Sequence, residues 1–371
     1  MAIGDGGAGS NRRACQAARM IATRRRDRAY NRPQLESAET GSAFAKIPTE
    51  CVAVAASKGA NMKMLFLGAG GVGGYFGGRL VEAGADVTFL VRPARAARLR
   101  SDGLRVNSPH GDFAVPVNCV TRDTDTIGES YDLVVLTAKA FDLADAIESV
   151  ASFVTPATFV LPLLNGLSHM DVLDRRFGAE RVLGGLVQVA VVLESDGAIR
   201  QLTPMHSLTA GGRTAETQAM AARFVEICKA ANFDSRLSPD IVLSLWEKWV
   251  FLATLATVTT LMRASVGQIM ETALGESLIR QAYAECLAVA ASQGVEIGPA
   301  ARAAALKILT QHGLPLTASM LRDLQAGQRT EHRHVLGDLL DRALATGIEV
   351  PILALALSQM EIRERESAAG H

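Results

Sequence analysis

The chain has 371 residues, enough for two domains with sizeable cores. Lys plus Arg and Asp plus Glu each number 38, so no charge excess points to nucleic acid or to an anionic membrane surface. The five cysteines (Cys15, Cys51, Cys119, Cys228 and Cys286) are scattered without C-x-x-C spacing. They suggest neither a disulfide framework nor a zinc site, and a reducing cytoplasm is the expected setting.

Residues 1–61 carry ten Lys and Arg against five acidic residues, with a cluster at Arg24-Arg25-Arg26 and no sustained helical or strand period. They lack the apolar core of a secretory signal, and Asp27, Glu36, Glu39 and Glu50 speak against a transit peptide. The expectation is a disordered extension, with Met62 or Met64 as a natural start. No run of about eighteen apolar residues is free of charges and helix breakers, so no membrane-spanning helix is expected.

Organised sequence begins with the apolar run Met64-Leu65-Phe66-Leu67, followed at once by Gly68-Ala69-Gly70-Gly71-Val72-Gly73. This G-x-G-x-x-G sits between a strand pattern and a helix pattern, the context a dinucleotide-binding loop requires. Gly68 allows the tight turn, Gly70 leaves room for a pyrophosphate, and Gly73 lets the helix approach the sheet with its amides toward the phosphates. A second strand is predicted over 86–91. It ends at Arg92, where NAD sites place an acid and NADP sites an arginine; Arg95 and Arg98 follow.

Residues 106–120 read as two short strands around Pro109-His110-Gly111, and 133–137 and 159–164 as buried strands. Lys139 and Asn165 stand just beyond those last two, where a doubly wound sheet binds its ligands. Strand patterns follow at 186–193 and 198–203, then a helix at 215–231. At Ser238-Pro239 the pattern turns helical, with Ser238 as expected N-cap and Pro239 as first helical residue. Helices are predicted over 240–263, 274–293, 300–311, 318–346 and 352–365. The expected class is α/β: a Rossmann-type dinucleotide domain at 62–238, then an all-helical substrate and catalytic domain at 239–371.

Lys248 lies in the apolar run Leu245-Trp246-Glu247-Lys248-Trp249. Such a lysine either snorkels to solvent or, desolvated in a cleft, acquires a lowered pKa and donates protons near neutrality. Ser244, Lys248, Leu252 and Ala256 recur every four residues and share one helical stripe. Glu331, flanked by Arg329 and Arg333, reads from pattern alone as a surface carboxylate. His332 and His334 point apart on a helix, so no metal site is expected.

These motifs together resemble the ketopantoate reductase (2-dehydropantoate 2-reductase) family over residues 62–365. The resemblance rests on the glycine loop, Arg92, Thr137-Ala138-Lys139-Ala140-Phe141 and Leu164-Asn165-Gly166 in the first half. In the second half it rests on Leu245-Trp246-Glu247-Lys248, Ser319-Met320 with Asp323, Thr330-Glu331, Gly337 and Gly347-Ile348-Glu349-Val350-Pro351. The resemblance implies NADPH-dependent reduction of a 2-oxo acid, with ketopantoate as first substrate and cofactor contacts at Gly68, Gly70, Gly73, Arg92, Lys139 and Asn165. In that scheme Lys248 is the general acid and Glu331 binds the substrate hydroxyl. Ser319 binds the carboxylate end, Asn165 sits by the nicotinamide and ketone, and Lys139 and Arg92 lie on the adenosine side.

The chain departs from the family pattern where ketopantoate-reducing members carry asparagines after the catalytic lysine. Here Leu252 and Ala256 stand at those places, and Leu336-Gly337 replaces Asn-Gly. A more apolar 2-oxo acid, or an NADP-binding sensor without turnover, are the rival expectations. The sequence leaves the oligomeric state open, a homodimer being one outcome.

Overall fold

The computed structural model describes residues 62–122 and 130–369; the expectations for residues 1–61, Cys15 and Cys51 included, lie outside them. The first half alternates strand and helix as far as residue 177: β1 (Met64–Leu67), α1 (Gly71–Glu82), β2 (Val87–Leu90), α2 (Pro93–Asp102), β3 (Leu104–Asn107), β4 (Phe113–Val115), β5 (Asn118–Val120), β6 (Leu133–Leu136), α3 (Leu143–Val150), β7 (Phe159–Pro162) and α4 (Ser168–Phe177). Then come the hairpin strands β8 (Gly184–Leu193) and β9 (Ile199–Gly211), α5 (Ala215–Cys228) and β10 (Asp234–Leu237).

Five parallel strands form one sheet in the order β5-β2-β1-β6-β7. The strand order reverses between β1 and β6, which opens a crevice beyond their carboxyl ends. A second sheet runs β10-β9-β3-β4, with β8 antiparallel to β9 and a bulge between Val189 and Val191. Alternation along the parallel strands divides two cores. Leu65, Val134, Leu136 and Val160 point to the helical half, whereas Met64, Phe66, Leu133, Val135 and Leu161 point toward the second sheet.

The second half contains α6 (Ile241–Met262), α7 (Val266–Met270), α8 (Gly275–Ser292), α9 (Pro299–Leu309), α10 (Ser319–Gln325), a π-helical turn (Arg333–Gly337), α11 (Asp338–Thr346) and α12 (Pro351–Ala369). Among the described residues α6 is the one helix long and apolar enough to cross a membrane by length and composition. In this fold it is the central helix, with Leu245, Trp246, Trp249, Val250 and Ala253 buried among α8, α10 and α12. Its buried Thr254, Thr259 and Thr260 hydroxyls donate to carbonyls four residues back, and Thr259 also accepts from the Ala318 amide.

Several expectations need correction. Asp240, not Ser238, caps α6: its carboxylate accepts from the Leu243 amide, and Pro239 precedes the helix. The stretch 318–346 is not one helix. It breaks after Gln325, because Gly327 takes φ +66° and the chain must turn to bring Glu331 back to the crevice. Residues 106–120 supply three strands rather than two; β3 and β4 pair in the second sheet, while β5 extends the parallel one. The run predicted at 198–203 is a thirteen-residue strand, and α2 and α4 are helices that apolar periodicity did not single out. One core runs from Leu65 and Val134 through α6 to Met360, so both halves share it.

Candidate active site

At the switch point the glycine loop has the geometry a dinucleotide needs. Gly68 sits at φ +95°, a conformation that L side chains rarely adopt, and its amide donates to the Leu90 carbonyl at 2.9 Å. A Cβ on Gly73 would lie 2.3 Å from the Gly68 carbonyl oxygen and 2.4 Å from Thr137 Oγ1, so only glycine lets α1 come this close. Above Gly70, by contrast, a Cβ would meet nothing within 4 Å. That open space faces the uncapped amides of α1, whose N-cap residue offers no side chain to satisfy them.

The loop opens into a cleft of about 760 Å³ lined by the ends of β1, β2 and β6, Arg92, Arg95 and Arg122. The three cations have different tasks. Arg95 donates to the Ala69 carbonyl at 2.9 and 3.2 Å and to the Gly197 carbonyl at 2.9 Å, bracing the loop itself. Arg122 pairs with Asp145 at 3.2 Å. Arg92, at the N-cap of α2, is exposed, and its guanidinium has no hydrogen-bond or ion-pair partner among the described residues. Open space over Gly70, orphan helix amides and an uncommitted guanidinium suit an anionic dinucleotide.

A second, narrow pocket of about 30 Å³ adjoins the crevice, lined by Asn165, Leu252, Ala256, Ser319, Asp323 and Glu331 among others. That space holds little more than one water. It is narrow because the two halves clasp over it. The Ala140 amide donates to Glu331 Oε1 at 2.9 Å, and Lys139 Nζ lies 3.2 Å from Asp323 and 3.5 Å from Glu331. Burial opposes the charge on Lys139, yet the two carboxylates hold its pKa above the usual lysine value. Lys139, expected on the adenosine side, is therefore engaged with the acids of the small pocket. Glu331 is no surface carboxylate; its side chain is only 10% exposed.

Lys248 reaches the same place from α6. Its ammonium donates to Asn165 Oδ1 at 3.0 Å. Burial pushes its pKa down to about 8, with Glu331 pulling weakly the other way. Ser319 begins α10 at the pocket wall, and Leu252 and Ala256 follow Lys248 along one stripe of α6 into it. Asn165, Lys248, Leu252, Ala256, Ser319 and Glu331 thus meet at one end of the crevice, while Gly68, Gly70 and Arg92 line the other, with Gly73 packed behind the loop. Pattern reading did not single out the buried His169 or the engaged role of His334, which lie directly behind Asn165. Histidine spacing could have flagged them only with the packing of α4 against the π-helical turn known.

Comparison with known proteins decides the family. The family model described as "Ketopantoate reductase PanE/ApbA" matches residues 64–213, and its C-terminal counterpart matches 240–364. The chain belongs to the ketopantoate reductase family. It is 33% identical over 307 residues to the uncharacterized oxidoreductase YkpB of Bacillus subtilis (strain 168), covering 82% of this chain and 100% of that one. A 2-dehydropantoate 2-reductase of Pyrococcus abyssi is 26% identical over 291 residues, covering 78% and 94%. Among solved structures, a PanE/ApbA family ketopantoate reductase from Ralstonia eutropha JMP134 superposes with TM-score 0.74 at 26% identity, covering 83% and 100%. D-mandelate dehydrogenase shares the fold, with TM-score 0.75 at 20% identity over 83% and 99%. The ketopantoate reductase family consists of oxidoreductases that act on 2-oxo acids with a nicotinamide cofactor.

Proposed function

We propose that this chain is an NADPH-dependent reductase of a 2-oxo acid, with ketopantoate the first substrate to test. The observation that carries the reading is the Lys248 ammonium, with a pKa near 8, held by Asn165 in a small pocket beside the dinucleotide crevice. A bound nicotinamide supplies the hydride. Negative charge then builds on the ketone oxygen, and a half-desolvated ammonium is suited to neutralise it and to deliver the proton. Asn165 aims that ammonium from the end of β7. Glu331 is the acceptor for a substrate hydroxyl once it leaves the Ala140 amide, and the Ser319 hydroxyl meets the carboxylate end. Arg92 supports NADPH over NADH, because an uncommitted guanidinium at the end of β2 suits a 2′-phosphate.

A second reading concerns the substrate. Leu252, Ala256, Met320 and Val335 line the pocket beside the polar groups, which favours a 2-oxo acid more apolar than ketopantoate. Consumption of NADPH with a panel of 2-oxo acids of graded polarity tests both. Turnover of apolar members only selects the second reading. Tight NADPH binding with no turnover of any member points instead to a sensor that has lost catalysis.

A further inference from the structure

His334 stands behind the catalytic contact rather than in it. Ser168 Oγ lies 2.8 Å from its Nδ1, and its Nε2 lies 3.3 Å from His169 Nδ1, with the two rings 5.4 Å apart. The ring also fills the place of a missing side chain. Gly166, at φ +76°, would carry a Cβ 3.1 Å from both the ring and the carbonyl oxygen of His334. Gly166 follows Asn165, and Ser168 begins α4 two residues later, so His334 grips the turn that carries Asn165 from both sides. The next residue ties the same π-helical turn to α6: Trp249 Nε1 donates to the Val335 carbonyl at 2.9 Å, one position after Lys248. Single π turns are frequent at functional sites, where they re-aim side chains within a helix.

From this geometry we infer that His334 is a positioning residue. Acting through Ser168 and the Asn165-Gly166 turn, it holds the Asn165 side chain where it receives the Lys248 ammonium. The inference rests on the reading of Lys248 as proton donor.

Neutral imidazoles fit this arrangement, since His334 can accept from Ser168 at Nδ1 and donate to His169 Nδ1 from Nε2, while His169 Nε2 has no partner among the described residues. Protonating both rings at once would set the facing N–H groups of His334 and His169 against each other. The surroundings agree: burial lowers the pKa of His334 against the pull of Glu331, the Asn165 backbone and Asp338. Burial, then His334, Lys248 and Arg213, lower that of His169 to about 3. The charged and titratable groups facing this unit are therefore Glu331 and Asp338 on its own segment, His169 on α4, Lys248 on α6, and Arg213 just before α5.

The test reads Lys248 itself, without substrate: the pH dependence of its acetylation by acetic anhydride, followed by mass spectrometry, in the full chain. His334→Phe keeps a ring over Gly166 and removes both ring-nitrogen contacts; Ser168→Ala removes one of them from the other side. With Asn165 released, the ammonium loses a hydrogen bond, and the labelling pKa should fall by about one unit in both variants. At pH 8 this shift alone lowers kcat/KM for the oxo acid roughly fivefold through the protonated fraction, with KM for NADPH unchanged. His334→Asn, which can still reach Ser168, should label more like the unmodified protein. An unmodified labelling curve in Ser168→Ala overturns the inference, and that variant carries the decision if His334→Phe fails to fold. Failure of the unmodified protein to reduce any 2-oxo acid refutes the reductase reading instead, and the labelling curves still decide the role of His334.

Discussion

Lys248 Nζ donates to Asn165 Oδ1 at 3.0 Å across 83 positions of sequence, joining the central helix to the end of the last parallel strand. This contact sets an ammonium of lowered pKa beside the crevice, and under the proposed function it ties proton delivery to the parallel sheet. Burial is the dominant cause of the lowered pKa, so the basicity of Lys248 reports how dry the pocket is.

A proton donor titrating near pH 8 gives a rate that falls on the alkaline side. The kcat/KM for the 2-oxo acid should be level below about pH 7 and drop tenfold per unit well above pH 8. Lys248→Ala should lower kcat by about 10²–10⁴ with NADPH binding nearly intact. A variant that keeps more than about half the original kcat, measured where hydride transfer limits the rate, would make Lys248 structural.

The same lysine costs stability. Its pKa is lower in the folded chain than in the unfolded one, so the folded form pays for burying the charge below about pH 8, where both forms are protonated. That cost fades as pH rises from about 8 toward the usual lysine value, where both forms become neutral. Lys248→Met should therefore be more stable than the unmodified protein at pH 7, by roughly 1–3 kcal/mol, with the gap closing by about pH 10.5. Urea titrations at both pH values check this, and a gap that widens with pH contradicts it.

Among the described residues the Arg92 guanidinium has no partner, which leaves it free for a phosphate. A charge-assisted contact of roughly 1.5–3 kcal/mol predicts that Arg92→Ala raises the KM for NADPH about ten- to a hundredfold. The KM for NADH should barely change. Equal use of the two cofactors by the unmodified protein removes this assignment.

Lys139 lies 3.2 Å from Asp323 and 3.5 Å from Glu331, at the small pocket rather than in the large cleft. Lys139→Ala should raise the KM for the 2-oxo acid by about two- to fivefold, the scale of one half-exposed ion pair, and leave that for NADPH nearly unchanged. The reverse split, with NADPH affected more, would restore it to the adenosine side.

Leu252 and Ala256 present no hydrogen-bonding group to a ligand in the pocket they line. A substrate hydroxyl left unpaired against Leu252 costs about 1–3 kcal/mol, or roughly ten- to a hundredfold in kcat/KM. The double variant Leu252→Asn with Ala256→Asn should gain on ketopantoate and lose on apolar 2-oxo acids. Efficient reduction of ketopantoate by the unmodified protein, above roughly 10⁵ M⁻¹s⁻¹, ends the altered-specificity reading.

The nucleotide loop, the strands before and after it, and the helical second half were legible in the chain because each depends on local rules. A turn at φ +95° needs glycine at 68, a buried parallel strand needs an unbroken apolar run such as 133–136, and a central helix needs apolar residues on all sides. The lysine stripe on α6 was legible for the same reason: a period of four residues is a property of one helix. What only the tertiary structure decided is who meets whom. Lys139 pairs with Asp323, 184 positions away, and Glu331 accepts from the Ala140 amide, 191 positions away. The stretch 318–346 broke so that Glu331 could reach that amide, and His334 closed behind Asn165. Periodicity tells which face of an element is apolar, but not which element will cover it. Contacts across the crevice follow from how the shared core packs, and no window of sequence contains both partners.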